Sequence, residues 1–348
     1  MRRSVPASSL ALIACLCAAD AGAQSASGTA TAAVDAAALA QVDPELRAVL
    51  AQIPALTLDG SNVQAVRRAP PPPTLPPPAV QPLERYIEGG AGNPRLRVLI
   101  FDPAPERGGK PAVLHLHGGG YVVGVPEVVM PELQRLASAL EVVVVSVDYR
   151  LAPEHPTPAG LDDAYAALGW LHRSADALGV DSARIALLGE SAGAGLAAAV
   201  ALRARDRGEH SIRLQVLRYP MLDDRTTLRS APAHVGRYIW NEGSNAYGWT
   251  SVLGRTPTMD TAPAEAVPAR VSDLRGLPPT WMGVGALDLF AQEDLAFAAR
   301  LIEAGVPVEL QVVPGAYHGF DIMSGQARVS REFSASWQAA LRRALSKD

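Results

Sequence analysis

The sequence predicts an α/β fold: a mostly parallel β-sheet with helices on both faces and a mainly helical cap inserted late in the chain. Three observations point there. Short apolar runs read as strands: AVLHLH (112–117), VVVVSV (142–147), RIALLG (184–189), LQVLRY (214–219), WMGVGA (281–286) and VELQVV (308–313). Helical stretches fall between several of them, near 160–174, 192–207 and 291–304. Continuously apolar strands are buried on both faces, and alternating helices are what cover them. Residues 223–279 then break the rhythm: they are rich in Pro, Gly and Trp and carry no strand pattern. A long insertion of this kind reads as a lid or cap.

From the N-terminus, Arg2 and Arg3 precede an apolar run, Ser9 to Ala19, that is too short to span a bilayer. The small residues AGA at 21–23 follow it, so residues 1–23 read as a signal peptide cleaved after Ala23. The expectation is export to the periplasm or beyond, without stable membrane insertion. LIAC at 12–15 offers a second route, a lipid anchor on Cys15, against which the bulky Leu16 counts. Cys15 and Cys17 are the only cysteines, so cleavage leaves no disulfide, no thiol nucleophile and no Cys-based metal site.

Residues 24–81 form an N-terminal segment. Its first part, 24–42, is rich in Ala, Ser, Thr and Gly and is expected to lack order. A helix is expected within 43–53, with Asp43 as N-cap, Pro44 at the first helical position, and Leu46, Val49, Leu50 and Ile53 at helical spacing. APPPPTLPPP at 69–78 reads as a polyproline II spacer. Residues 82–348 carry the α/β domain, with the cap at about 223–279. The balance of 31 Lys and Arg against 35 Asp and Glu gives a charge of −4 with no long basic run, which argues against a nucleic-acid partner.

The chemistry is carried by GESAG at 189–193, a G-x-S-x-G between an apolar strand and an Ala-rich helix. A nucleophile on a sharp strand-to-helix turn takes a strained backbone angle. Gly189 and Gly193 clear the space that side chains there would fill, and Ser191 faces the positive end of the following helix. A serine hydroxyl needs a base. Of the seven histidines only His210, His234 and His318 follow Ser191. His210 lies in a polar turn and His234 in the expected cap, whereas His318 follows the strand 308–313 and so shares the sheet edge with Ser191. HLHGGGY at 115–121 places three glycines after a strand. The N–H groups of Gly118 and Gly119, with that of Ala192, are candidate donors to an oxyanion. His117 reads as an orienting residue for that loop, and His115 as packed in the sheet.

HGGG (117–120), DYRLAPEHP (148–156), GESAG (189–193), GALDLF (285–290) and YHGF (317–320), in this order, make the chain resemble the hormone-sensitive lipase-like family of α/β-hydrolase esterases over about residues 82–345. The resemblance implies an α/β-hydrolase fold with eight strands, a helical cap partly from the N-terminus, and carboxylic ester hydrolysis without cofactor or metal. It implies Ser191, Asp288 and His318 as triad and Gly118, Gly119 and Ala192 as oxyanion donors. The family's Asp before the serine is here Glu190, a supporting acid, and its acid segment is here DLFAQED. Asp288 follows the strand 281–286 almost at once, while Glu293 and Asp294 fit the acidic first turn of a helix. The expected function is hydrolysis of small or short-acyl esters through an acyl-enzyme. A lactonase, a sugar or xylan deacetylase or an amidase would use the same machinery, and a non-catalytic binder could share the fold. The oligomeric state is not legible.

Overall fold

The computed structural model describes residues 36–53, 55–69, 80–90 and 92–347. Eight strands form one sheet: β1 (Leu83–Ile87), β2 (Leu96–Phe101), β3 (Lys110–Leu116), β4 (Val143–Asp148), β5 (Val180–Glu190), β6 (Leu214–Arg218), β7 (Thr280–Gly285) and β8 (Val308–Val313). Their spatial order is β1-β2-β4-β3-β5-β6-β7-β8. β2 runs antiparallel to both its neighbours, and every other pair is parallel.

Among the described residues ten helices accompany the sheet: α1 (Ala36–Gln41), α2 (Pro44–Leu50), α3 (Val63–Arg68), α4 (Met130–Leu140), α5 (Ala159–Arg173), α6 (Ala192–Arg207), α7 (Glu242–Leu253), α8 (Ala291–Glu303), α9 (Phe320–Met323) and α10 (Arg328–Leu345). The side-chain period of two splits the central strands between two cores. Leu114, Val145, Leu187, Leu217 and Met282 pack on one face with α5 and α6. Val113, Val144, Leu188, Val216 and Trp281 pack on the other with α4 and α10. α6 is buried from Ala192 to Leu202, and its alanines let it lie close to the sheet. Arg205 and Arg207 complement its C-terminal dipole, and Gly208 ends it in the left-handed region.

The six expected strands are all present, with β5 starting earlier, at Val180. β1 and β2 were expected only through the resemblance; β1 exposes Leu83, Glu84, Arg85 and Tyr86 and so has no alternating signature. Asp43 caps α2 through its carboxylate, which accepts from Glu45 N at 2.9 Å. One expectation is corrected: the stretch 24–42 is not wholly without order, because α1 lies within it. Tertiary contact supplies the reason. Val42 is buried, Arg47 donates to the carbonyls of Ala40 and Val42, and Asp43 N bonds Gly315 O at 3.0 Å. The leader 1–23 with Cys15, and residues 70–78 of the expected polyproline II spacer, lie outside the described residues.

Residues 223–279 contain α7 and two short 3-10 turns, Asp224–Leu228 and Pro268–Arg270, and no strand. The N-terminal segment is fastened to α7. Leu58 N donates to Ser244 Oγ (2.9 Å), and Asn241 Nδ2 donates to Leu56 O (3.0 Å). Among the described residues no helix is long and apolar enough to cross a membrane.

Candidate active site

Ser191 sits between β5 and α6 at φ 57° and ψ −122°, a backbone conformation that costs a non-glycine residue on the order of 1–3 kcal/mol. The surroundings over-determine it. Ser191 N donates to Arg218 O (2.9 Å), and Ser191 O accepts from Met221 N (3.0 Å). A methyl on Gly189 would lie 2.4 Å from Gly193 O, and one on Gly193 would lie 2.0 Å from Leu116 O. Both glycines are therefore required by close backbone approach.

His318 lies on the loop between β8 and α9, and Asp288 on the loop after β7. His318 Nε2 is 2.9 Å from Ser191 Oγ, and His318 Nδ1 is 2.8 Å from Asp288 Oδ2. Asp288 Oδ1 accepts from Phe290 N at 3.0 Å, which fixes the carboxylate plane. A proton on Nδ1 facing the carboxylate leaves Nε2 as an acceptor toward the serine. Tyr219 and Phe290 present their rings edge-on to the imidazole, at 4.9 and 5.2 Å. His210 instead stacks on His172 at 5.0 Å, and His234 is exposed in the cap.

Glu293 and Asp294 do stand in the first turn of α8, but not as solvated dipole partners. Both are buried. Glu293 Oε1 accepts from Leu222 N (2.7 Å) and Asp223 N (3.2 Å), and the Thr226 hydroxyl bonds Oε2. Glu293 thus pins the start of the cap to α8. Burial pushes its carboxyl up to about 8. Neither carboxylate oxygen of Asp294 has a protein partner among the described residues. Burial, reinforced by Glu293 and Asp288, holds that group well above the usual carboxylate range.

The Glu293 shift has a stability consequence. A folded-state pKa of about 8, above the ordinary 4.5, means that the folded protein holds a proton the unfolded chain has lost. The stabilisation is complete below the unfolded value and fades as pH rises through about 8. Glu293→Gln keeps an oxygen for both N–H groups and removes the titration. Its melting temperature should fall less between pH 5 and pH 9 than that of the wild type. Parallel melting curves for the two proteins would contradict this.

The glycine loop differs from expectation at one residue. Gly118 N donates to Glu190 Oε1 at 3.1 Å, so it is not free to donate elsewhere. The next two peptides are set by their carbonyls. Gly118 O bonds His117 Nδ1 (2.8 Å), and Gly119 O accepts from Val122 N (3.0 Å) and Val123 N (2.9 Å). In a trans peptide the N–H points opposite to the C=O. The N–H groups of Gly119 and Gly120 are therefore turned away from those partners. Among the described residues no protein acceptor takes them or the N–H of Ala192. In the sequence all three glycines of the motif look alike, and nothing there singles out Gly120.

Glu190 is a buried hub. Its other oxygen, Oε2, lies 3.0 Å from His115 Nε2, while His115 Nδ1 contacts Ser146 Oγ at 2.8 Å. Burial alone would raise the Glu190 carboxyl, but His115, Arg218 and the Gly118 N–H outweigh it and hold the group below its ordinary value. His115 is thus more than a packed sheet residue. His117 stacks on Tyr149 (4.2 Å), whose hydroxyl donates to His117 O (2.6 Å). Sequence reading also missed the network beneath the site. Arg218, buried at the end of β6, bonds Glu132 Oε1 (2.6 Å) and Asp321 Oδ2 (2.5 Å), and Tyr219 OH donates to Asp321 Oδ1 (2.8 Å). Its carbonyl is the acceptor for Ser191 N, so this network supports the serine turn.

The cap reaches the glycine loop directly. A methyl on Gly120 would lie 2.1 Å from Trp240 Cη2, and one on Gly248 of α7 would lie 2.8 Å from Gly120 O. Trp240 is also 6.3 Å from the His318 ring. Trp249 is fully buried against Tyr121, and Tyr238 packs on Tyr317. Among the described residues no three His, Cys, Asp or Glu side chains converge to hold a metal ion.

With this geometry in place, similarity to known proteins is informative. A family model described as alpha/beta hydrolase fold matches residues 113–322. The esterase LipI of Mycobacterium tuberculosis is 33% identical over 305 residues, covering 86% of this chain and 94% of its own. An ethyl acetate hydrolase of Pseudomonas putida is 35% identical over 215 residues, 60% of this chain and 65% of its own. The structure of a bacterial heroin esterase superposes with a TM-score of 0.81 at 33% identity, covering 89% of this chain and 99% of that one.

Proposed function

The chain belongs to the hormone-sensitive lipase-like family of α/β-hydrolase esterases and hydrolyses carboxylic esters, and from that premise we propose the roles of its residues. Ser191 Oγ attacks the ester carbonyl while His318 Nε2 takes its proton. The N–H groups of Gly119, Gly120 and Ala192 receive the oxyanion. Collapse of the tetrahedral intermediate breaks the bond to the alkoxy oxygen, which leaves as alcohol with the proton from His318. Water, deprotonated by the same nitrogen, then releases the acid and restores Ser191. Asp288 holds the imidazole in the required tautomer and stabilises its charged form. The unbroken contact chain from Ser191 Oγ through His318 to Asp288 carries this reading. The corresponding test is covalent labelling: a fluorophosphonate should modify Ser191 and abolish turnover together, and labelling of another serine would overturn the assignment.

The preferred substrates in this reading are short-acyl esters. Trp240 supports it by filling the space beside Gly120 and His318, and one relative is an ethyl acetate hydrolase. The rate constant kcat/KM for p-nitrophenyl acetate or butyrate should exceed that for the C12 ester by about tenfold or more, the scale of a few lost methylene contacts. Faster turnover of C12 esters would refute the short-chain preference.

A further inference from the structure

The oxyanion loop continues from Gly120 into Tyr121 and Val122, and its outward side carries two carbonyls. Tyr121 O accepts from Ala152 N at 2.9 Å. Val122 O accepts from Arg67 Nε at 2.7 Å. The same guanidinium donates through NH2 to Ala152 O (2.6 Å) and through NH1 to Glu154 Oε1 (2.8 Å). Arg67 belongs to α3, in the N-terminal segment, some fifty residues upstream of the loop it holds. Its side chain is only 19% exposed. The planar fork of a guanidinium suits three acceptors in fixed directions, which a lysine ammonium cannot reproduce.

The segment around it has its own anchors. Leu58 and Val63 are buried in the same core as Tyr121, Val122, Trp240 and Trp249. Leu58 N is bonded to Ser244 of α7. The segment would therefore stay docked without the guanidinium, whose bonds go specifically to the loop bearing Gly119 and Gly120 and to the neighbouring 152–154 turn. The Gly120 N–H is aimed by the Gly119 carbonyl of the same peptide, which bonds the N–H groups of Val122 and Val123. Arg67 grips the carbonyl of that same Val122.

We propose that Arg67 is a positioning residue for catalysis: from the N-terminal segment it locks the Gly119–Val122 turn so that the Gly120 N–H group stays aimed at the oxyanion. The inference rests on the roles given above for Ser191 and the glycine loop. Displacing catalytic donors by about 1 Å can cost about 100-fold in rate, because donor energy falls steeply with distance and angle. The loss should fall on the transition state, where the negative oxygen exists, and hardly on ground-state binding.

The test uses the full chain, with fluorophosphonate titration run to completion to count competent Ser191. For Arg67→Ala, kcat per titrated site on p-nitrophenyl acetate should fall about 30- to 100-fold while KM changes less than about threefold. The inhibition constant of a trifluoromethyl ketone, which forms a tetrahedral adduct, should rise by the factor by which kcat/KM falls. Arg67→Lys should recover part of the loss. Gln64→Ala, which removes only a bond from α3 to Glu154, should stay within about twofold of wild type. An Arg67→Ala enzyme within threefold of wild type per titrated site overturns the proposal, whatever its melting temperature. So does a fall in kcat that leaves the ketone constant unmoved. If Arg67→Ala does not fold, Arg67→Lys decides: a drop of about fivefold or more in kcat supports the proposal and a change under twofold overturns it. Failure of the wild type to be labelled at Ser191 would instead sink the underlying catalytic reading.

Discussion

Ser191→Ala should remove ester hydrolysis almost entirely, by about 10⁶-fold in kcat, the loss seen when a serine hydrolase is deprived of its nucleophile. The argument is local. Among the described residues no other hydroxyl is hydrogen-bonded to His318 Nε2, whose partner is Ser191 Oγ at 2.9 Å. A water activated by His318 could attack in its place, but it would lack the fixed distance and orientation that make the serine reaction effectively unimolecular. The fold should survive. The side chain is small and its one hydrogen bond goes to His318, so melting should shift by no more than a few degrees. Alanine at φ 57° carries the same backbone strain as serine. Substrate affinity should persist, because the groups around the site are untouched. Turnover per mole of alanine variant above about 1% of wild type, with contaminating esterase excluded by inhibitor titration, would contradict the assignment.

The serine turn was legible in sequence because its geometry leaves compositional traces. Gly189 and Gly193 stand where a methyl would strike backbone atoms at 2.4 and 2.0 Å, so the motif is a steric record of the turn. The central strands were legible for a related reason: β4 is buried on both faces and is apolar except at Ser146, whose hydroxyl is partnered by His115, and at Asp148 at its end. β1 was not, since an edge strand whose first four residues are exposed has no pattern to read. The choice among the glycines of the HGGG loop was also out of reach. It depends on Glu190 bonding Gly118 N, a contact between residues 72 positions apart. The same holds for Arg218, which in sequence is one arginine at the end of an apolar run. In the fold it is a buried cation between Glu132 and Asp321, 86 and 103 positions away. Burying that charge is tolerable only because both carboxylates reach it. The sheet order sets the first of these contacts, because β3 beside β5 brings the ends of the two strands together.

Asp288→Asn should cost several orders of magnitude in kcat near pH 7 with little change in KM, by analogy with the ~10⁴-fold loss in a serine protease when the orienting aspartate becomes asparagine. The reason is the direction of one proton. Asp288 Oδ2 faces His318 Nδ1 at 2.8 Å, and its other oxygen already accepts from Phe290 N. The asparagine oxygen would be drawn to Phe290 N–H, which turns the NH₂ group toward the imidazole. Nδ1 would then have to accept, the proton would sit on Nε2, and the nitrogen facing Ser191 could no longer take the serine proton. The imidazolium formed during attack would lose its counter-charge as well. The other two acids of this loop and helix should behave differently. Asp294 is fully buried with no partner among the described residues, and its burial favours the neutral acid, for which asparagine is a close neutral match. Asp294→Asn should therefore cost less than about tenfold, acting only through local packing. Glu293 bonds the backbone at Leu222 and Asp223 and not the imidazole, so Glu293→Gln should also stay within about tenfold. The discriminating measurement is kcat for the three variants side by side at pH 7, with His318 protonation followed by NMR. A crippled Asp294→Asn beside a mild Asp288→Asn would transfer the orienting role to Asp294, and would require His318 to turn away from the 2.8 Å contact that now holds it.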